Sequence, residues 1–282
     1  MLRLGALLAV YCLAAPAGAH GMKPLNDSAL SDVRGRDGLS FDLNNFAISG
    51  DARYTYTTPD KSASAYMGNL AASRSDSPNP FADPYRVDLV SGAPGLADVI
   101  NLSFPVNADG SQKWQLAYDW GVTANGLAVD GGSVVYTDAV FSGGGMQWST
   151  PRVGDGVAFG MALRLDIGNV AFQGQRVNST EPMNFTGVHI GAVDASGTFL
   201  NTPWVIADVA TQPGVVNIIK EPDGTPRLHI GIAWPDAGHE APLGGLKIDT
   251  VSFGSPATGS LNLGSSSIGS MQIQYLDIKF KP

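Results

Sequence analysis

Four histidines are the side chains of this chain best suited to exchange protons or bind metals near neutral pH. His20 would become the first residue if a leader ended at Ala19. Its amine and imidazole nitrogens could then hold copper together with a second histidine, drawn from His189, His229 and His239. An N-terminal-His copper enzyme is therefore one hypothesis. The alternative is that these are incidental histidines scattered along an ordinary chain.

Carboxylates, hydroxyls and thiols form no pattern that predicts catalysis. The three glutamates, Glu181, Glu221 and Glu240, lie beside proline or in expected loops, whereas glycoside hydrolysis needs two carboxylates placed across the substrate. The Ser/Gly stretches near the C-terminus follow every histidine, so no nucleophile elbow is continued by Asp and His. The single cysteine, Cys12, lies in the expected leader. We predict no catalytic residue, no cofactor and no metal site.

Local patterns assign ordinary structural roles to the remaining polar candidates. His189 and His229 each lie in an alternating segment, which predicts that they point to the polar face of a strand. Residues 107–111 and 194–197 resemble fragments of calcium loops, but no bidentate Glu follows at a suitable spacing. We therefore expect both segments to be turns.

The aromatic residues offer a different kind of site. Stacking on a sugar ring is one role open to the tryptophans and several tyrosines, namely Trp114, Trp120, Trp148, Trp204, Trp234, Tyr54, Tyr56, Tyr118 and Tyr136. In a β protein most tryptophans belong to the core, and alternation predicts Trp114, Leu116 and Tyr118 on one strand face. A core role is the favoured interpretation, and a lectin-like carbohydrate-binding face is the alternative.

The first 19 residues predict export. Arg3 precedes an apolar run over residues 4–13, and Ala17-Gly18-Ala19 supplies the small residues before a cleavage site. This is the pattern of a cleaved signal peptide, because the apolar run is too short to cross a bilayer as a helix. No later run is long enough for a transmembrane helix. We expect the periplasm, the outer surface or the medium as the destination.

Charge and cysteine content narrow the class of protein. The formal net charge is −8 and no cluster of Lys or Arg is present, so nucleic acid is excluded as a partner. With Cys12 in the leader, the mature chain has no thiol for a disulfide. Secreted eukaryotic domains of this size often carry disulfides, which favours a bacterial envelope protein that folds on its core alone.

Short alternating segments separated by glycine-rich turns dominate the chain after residue 38. They predict an all-β protein, an antiparallel β-sandwich, jelly roll or β-roll, in one domain over residues 20–282. One short helix is expected over residues 28–34, where Leu30 and Val33 form a small apolar face. Residues 59–84 are rich in Ser, Ala and Pro, and we expect a long surface loop there.

The segment that follows the leader resembles a known group of sequences. A Pro-Leu-x-Asp-x-x-Leu-x-x-Val-x-Gly-Gln-Asp-Gly stretch marks the exported Gram-negative proteins of the pilus-system (FilA-like) or DUF6160 group. The matching residues here are Pro24, Leu25, Asp27, Leu30, Val33, Gly35, Asp37 and Gly38, with Arg36 in place of Gln. The resemblance is confined to residues 22–41 and implies an envelope or surface role.

These observations together predict an exported surface or pilus-associated protein of structural or adhesion type, without catalysis. We expect a protein or cell-surface partner, including self-association, with a glycan as the ligand of the lectin-like alternative. Exposed strand edges and aromatic patches are the features through which such proteins meet their partners.

Overall fold

The computed structural model describes most of the chain beyond residue 37. The described residues are 38–41, 43, 46–74, 83–92, 94, 96–151, 155–174, 176, 181–233, 241–255, 259–273 and 275–279. The predicted leader and the predicted helix over 28–34 lie outside them. Within this described part no residue is helical, and thus no helix there could cross a membrane.

Sixteen strands make up the described part of the chain. They are β1 (Leu39–Phe41), β2 (Ala47–Ser49), β3 (Tyr54–Thr57), β4 (Ala63–Arg74), β5 (Tyr85–Val90), β6 (Val99–Ser103), β7 (Trp114–Ala124), β8 (Leu127–Ser149), β9 (Val157–Gln173), β10 (Met183–Ala192), β11 (Trp204–Ala207), β12 (Gly214–Lys220), β13 (Pro226–Ala233), β14 (Gly244–Ser255), β15 (Gly259–Met271) and β16 (Tyr275–Lys279).

The long strands β8 and β9 hold the sheet together, because each pairs with different neighbours along its length. The first part of β8 pairs with β7 and its last part with β6. The last part of β9 pairs with β10, and its first part pairs with β11 and β12. Two branches result. The first branch runs β3-β4-β7-β8-β9-β10-β14-β15, and the second runs β1-β5-β6-β8-β9-β12-β13-β16.

Every strand pair is antiparallel, so the predicted all-β antiparallel class is confirmed. Hydrogen bonds join all 16 described strands into one sheet. The finer division into a sandwich, jelly roll or roll stays a prediction.

A glycine run bends β8 where its partner changes from β7 to β6. The register with β9 shifts between Phe141 and Gly144, and Gly143 and Gly144 have φ values of 70° and 79°. A Cβ atom on Gly144 would lie 2.3 Å from the carbonyl oxygen of Ala162. Only glycine fits this backbone, because a side chain would meet both the left-handed strain and the neighbouring strand.

Three glycine-rich segments predicted as turns are strand segments in the structure. The motif Asp130-Gly131-Gly132 and the run Gly143-Gly144-Gly145 both lie inside β8, and Gly244-Gly245 begins β14. Gly131 lets its strand pack closely against Trp120, since a Cβ on this glycine would lie 2.3 Å from the tryptophan ring. By contrast, Asp109-Gly110 and Asp223-Gly224 are turns, as predicted.

The predicted loop over residues 59–84 is wrong for much of its length. It contains the 12-residue strand β4, which pairs with β2 and β3 on one side and with β7 on the other. The many small residues of β4, Ala63, Ala65 and Ala72 among them, make it resemble a loop in composition. Neighbours on both sides supply the hydrogen bonds that fix such a weakly apolar strand.

The core consists of two clusters. One lies within the first branch and contains Val134, Ile167, Val170 and Val188. The other joins the branches, because Ile190 of β10 and Met271 of β15 pack against a cluster formed by Ala192, Trp204, Ile206, Ala207 and Ile232. Trp204 is 6% exposed, and its Nε1 donates to the carbonyl oxygen of Pro242 at 2.9 Å. The predicted core role is therefore confirmed for this tryptophan.

Candidate interaction surface

One face of the first branch is apolar across six neighbouring strands. Residues directly opposite each other on antiparallel strands share a face, and one such row consists of Tyr118, Val134, Phe172, Met183, Phe253 and Leu261. A second row consists of Phe141, Leu165, Ile190, Leu246 and Ile268. We call this side of the branch the apolar face. Leu116 and Tyr118 both lie on it, as the alternation predicts, through their pairs with Tyr136 and Val134.

A row of irregular positions keeps these side chains on one side of the sheet. Ile167 and Val170 belong to one cluster although they are three positions apart, so the two consecutive residues between them face the other side. The neighbouring strands contain the same irregularity at Asp138 and Gly187, whose φ values are 54° and 64°. Simple period-two alternation fails at this line because each strand carries one additional residue there.

The apolar face opens into an aromatic trough at its β3 end. Its volume is about 340 Å³, and we define the aromatic trough by Tyr54, Tyr56, Met67, Tyr118, Trp120 and Phe172. Tyr54 and Tyr56 are 70% and 56% exposed. Trp120 lies opposite Met67 on β4, and Met67 lies opposite Tyr54 on β3. The walls are mainly rings and alkyl groups, which suits a partner with apolar side chains.

The opposite border of the apolar face is the strand β15. It pairs only with β14 among the described strands, and 12 of its 13 residues are exposed. Leu261, Leu263 and Ile268 are 63%, 58% and 49% exposed. No charged residue occurs in residues 250–276. The outer main-chain groups of this strand can therefore accept another strand.

The polar side of the same branch brings His189 together with two aspartates. Its Nδ1 lies 2.6 Å from Asp166 Oδ1, and its Nε2 lies 3.2 Å from Asp249 Oδ2. Lys247 Nζ lies 2.6 Å from the other oxygen of Asp249. Partial burial of the imidazole opposes its charge, but the hydrogen bonds to Asp166 and Asp249 outweigh this and raise the pKa of His189.

The second branch repeats this arrangement around His229. Its Nδ1 lies 2.7 Å from Asn217 Oδ1, and its Nε2 lies 3.2 Å from Asp277 Oδ1. Lys279 is paired opposite His229, as Lys247 is opposite His189. Both histidines therefore take part in cross-strand polar rows, which confirms the predicted polar-face placement. Each imidazole is held by neighbouring side chains and neither contacts a nucleophile in these rows.

Sequence reasoning missed the partners of both histidines. The available signal was the aspartate near the end of two alternating segments, Asp166 and Asp249. The sequence does not reveal, however, which residues of the neighbouring strands lie opposite His189. Gly187 completes the site, because a Cβ there would lie 2.4 Å from an Asp249 carboxylate oxygen. The glycine leaves the space through which that carboxylate reaches the imidazole.

The copper hypothesis involves residues in different parts of the chain. His189 and His229 lie on separate branches, and His20 and His239 lie outside the described residues. Within the described ranges, no group of three His, Cys, Asp or Glu residues could hold a metal ion. The copper hypothesis for His20 stays an alternative to the predicted absence of a metal site.

The segments that resemble calcium loops use their oxygens within their own turns. Asn107 Oδ1 accepts from the backbone amide of Gln112 at 3.1 Å, and its Nδ2 donates to the Gln112 carbonyl at 3.0 Å. Asp194 Oδ1 accepts from the amides of Ser196 and Thr198 at 2.8 and 2.9 Å. These bonds confirm the predicted turns.

The tryptophans do not form one platform. Trp120 lines the aromatic trough and Trp204 is in the core. Trp114 Nε1 donates to the hydroxyl of Tyr85 at 3.0 Å, and Trp148 pairs between Ile100 and Phe159 on the second branch. Trp234 lies outside the described residues. Four residues of the proposed sugar platform do lie together, in the aromatic trough: Trp120, Tyr54, Tyr56 and Tyr118.

Comparison with known proteins gives a match at the N-terminal end of the chain. None of the curated proteins and none of the solved structures matches it. Residues 1–88 match DUF6160, a family of unknown function. The predicted resemblance to DUF6160 sequences is thereby confirmed for this part of the chain, which includes β1 to β4 and the two exposed tyrosines of the aromatic trough.

Proposed function

We propose that this chain is an exported surface or pilus-associated protein that assembles or adheres and does not catalyse a reaction. The apolar face carries the proposal. It extends from exposed tyrosines at one border to the exposed, uncharged strand β15 at the other. Exposed apolar side chains at the two borders of this face, in a protein of net charge −8, are typical of a binding site for another macromolecule.

The sequence supports export to the cell envelope as part of this proposal. The pattern of a basic residue, a short apolar run and Ala17-Gly18-Ala19 directs the chain across the inner membrane. The resemblance of residues 22–41 to pilus-system (FilA-like) proteins adds the envelope as the setting. A folded body without cysteine suits the periplasm or the cell surface of a Gram-negative bacterium equally well.

A substitution in the aromatic trough tests whether this surface binds the cell envelope. Tyr54→Ser should weaken binding of the purified mature protein to an isolated bacterial envelope fraction about fivefold, the loss expected for one exposed aromatic contact. Tyr275→Ser is the matched control, because Tyr275 is also 70% exposed but lies on β16 in the second branch. Equal losses in both variants, or no loss in either, would contradict a role for the trough in adhesion.

A lectin-like function is the second candidate, favoured by the tyrosines beside Trp120. Sugar rings stack on such side chains, but sugar sites also present several polar groups that fix the hydroxyls. A glycan array with the same two variants separates the candidates. Glycan binding that Tyr54→Ser abolishes would favour the lectin, and envelope binding without any glycan signal would favour the protein partner.

A further inference from the structure

We infer that β15 pairs antiparallel with β15 of a second copy of this chain, about a two-fold axis perpendicular to the sheet. This inference rests on the proposed assembly function and names the partner for one of its surfaces. The pairing would join the first branches of the two copies into one continuous sheet. The main-chain groups on the outer side of β15 would become its hydrogen-bonding partners.

Length and charge distinguish β15 from the other described strands at the borders of the sheet. It has 13 residues, whereas β1, β3 and β16 have 3, 4 and 5. The strand β16 also carries charges, at Asp277 and Lys279, whereas β1 and β3 differ from β15 by their short length alone. Short length and charged side chains are common devices against edge pairing, and β15 has neither.

Electrostatics favours a second copy at this border in particular. Two chains of net charge −8 repel each other at most approaches. Residues 250–276 contain no charged side chain, so two β15 strands can meet without bringing like charges together. Lys247 and Asp249 of β14 are the nearest charged residues in sequence on the N-terminal side, and they already form an ion pair at 2.6 Å.

Symmetry selects the antiparallel arrangement. A two-fold axis perpendicular to the sheet pairs identical edges antiparallel and keeps the same face of both copies on the same side. Leu261 and Ile268, which share the apolar face with Phe253 and Leu246, would then adjoin the apolar face of the second copy. A parallel pairing about an axis along the strand would place the apolar face beside the polar face, where His189 and its aspartates lie.

The first test is the molar mass of the purified mature protein by sedimentation equilibrium. The wild type should be a dimer, and Ile268→Lys should raise the dimer dissociation constant at least tenfold by placing a charge on the edge. Ile100→Lys is the matched control. Ile100 is 48% exposed against 49% for Ile268, but it lies on β6, which pairs on both sides. A monomeric wild type at about 100 µM, where micromolar association is complete, would overturn the inference.

The second test measures geometry and uses the absence of thiols from the mature chain. Ser260→Cys, Ser265→Cys and Ser270→Cys each provide one site for a spin label on β15. In the antiparallel pairing, the distance between the two labels changes by about 6.8 Å per residue moved from the axis, twice the strand rise. Equal distances at all three sites would indicate parallel strands, and no measurable distance would indicate association elsewhere. Either result overturns the inference.

Different results would overturn the β15 pairing and the proposed function. A mature protein that is monomeric but reaches the cell surface and binds envelope fractions would overturn the β15 pairing and leave the proposed function in place. A β15-paired dimer that is retained in the cytoplasm would do the reverse. Circular dichroism and the thermal midpoint of each variant establish that a loss of dimer is not a loss of fold.

Discussion

At the scale of residues, the two histidine rows illustrate how neighbouring strands bring ionisable side chains together on one surface of the sheet. His189 contacts Asp166 and Asp249, and Lys247 occupies the remaining side of Asp249. Both imidazole nitrogens of His189 and both carboxylate oxygens of Asp249 are thus paired with a neighbouring side chain. A paired imidazole of this kind contributes to stability and to the pH response of the fold.

The stability of the fold should depend on pH through His189. Its pKa is raised in the folded protein, so its contribution is fully present below the unfolded value of about 6.5 and is lost as pH rises through the folded pKa. The urea midpoint should therefore fall over that window, and Asp249→Asn should make the fall smaller. NMR titration of the imidazole checks the cause. An unchanged His189 pKa in Asp249→Asn would contradict this account.

Metal content is the residue-scale test of the copper alternative. We expect the purified mature protein to contain no stoichiometric copper, zinc or calcium by elemental analysis. His20→Ala is the control variant, because it removes one imidazole from the predicted mature N-terminus. Stoichiometric copper in the wild type that disappears in His20→Ala would contradict the non-catalytic function and favour the oxidase.

At the scale of elements, bends within long strands decide the architecture. The Gly143-Gly144-Gly145 run lets one strand, β8, serve both branches of the sheet. Strands with clear alternation could be predicted from sequence, as β7 with Leu116 and Tyr118 shows. The length of β8 could not, because its glycines have the composition of turns, and the packing of Ala162 and Trp120 that requires them is visible only in the fold.

A pair of glycine variants tests the bend in β8. Gly144 and Gly126 have nearly equal φ values of 79° and 78°, so alanine at either position costs about 1–2 kcal/mol of backbone strain. A Cβ on Gly126 meets nothing within 4 Å, whereas one on Gly144 meets the Ala162 carbonyl at 2.3 Å. Gly144→Ala should lower the free energy of unfolding by about 1–3 kcal/mol more than Gly126→Ala, measured by urea denaturation. Equal losses would contradict the close contact.

At the scale of the whole molecule, apolar surface and charge occupy opposite sides of the first branch. The row from Tyr118 to Leu261 lies on one side, and His189 with its charged partners lies on the other. Sequence predicted the exposed strand edges and an aromatic patch as general features. It could not predict that they border one continuous face, because strand order and register arise from pairings between distant segments.

Export to the cell surface is the central claim, and protease treatment of intact producing cells tests it most directly. We expect added protease to digest the protein while a cytoplasmic marker stays intact, and the undigested form in untreated cells to begin at His20 or within a few residues of it. Protein that stays protected until the cells are lysed would contradict the surface location, and protein that retains Met1 would contradict export.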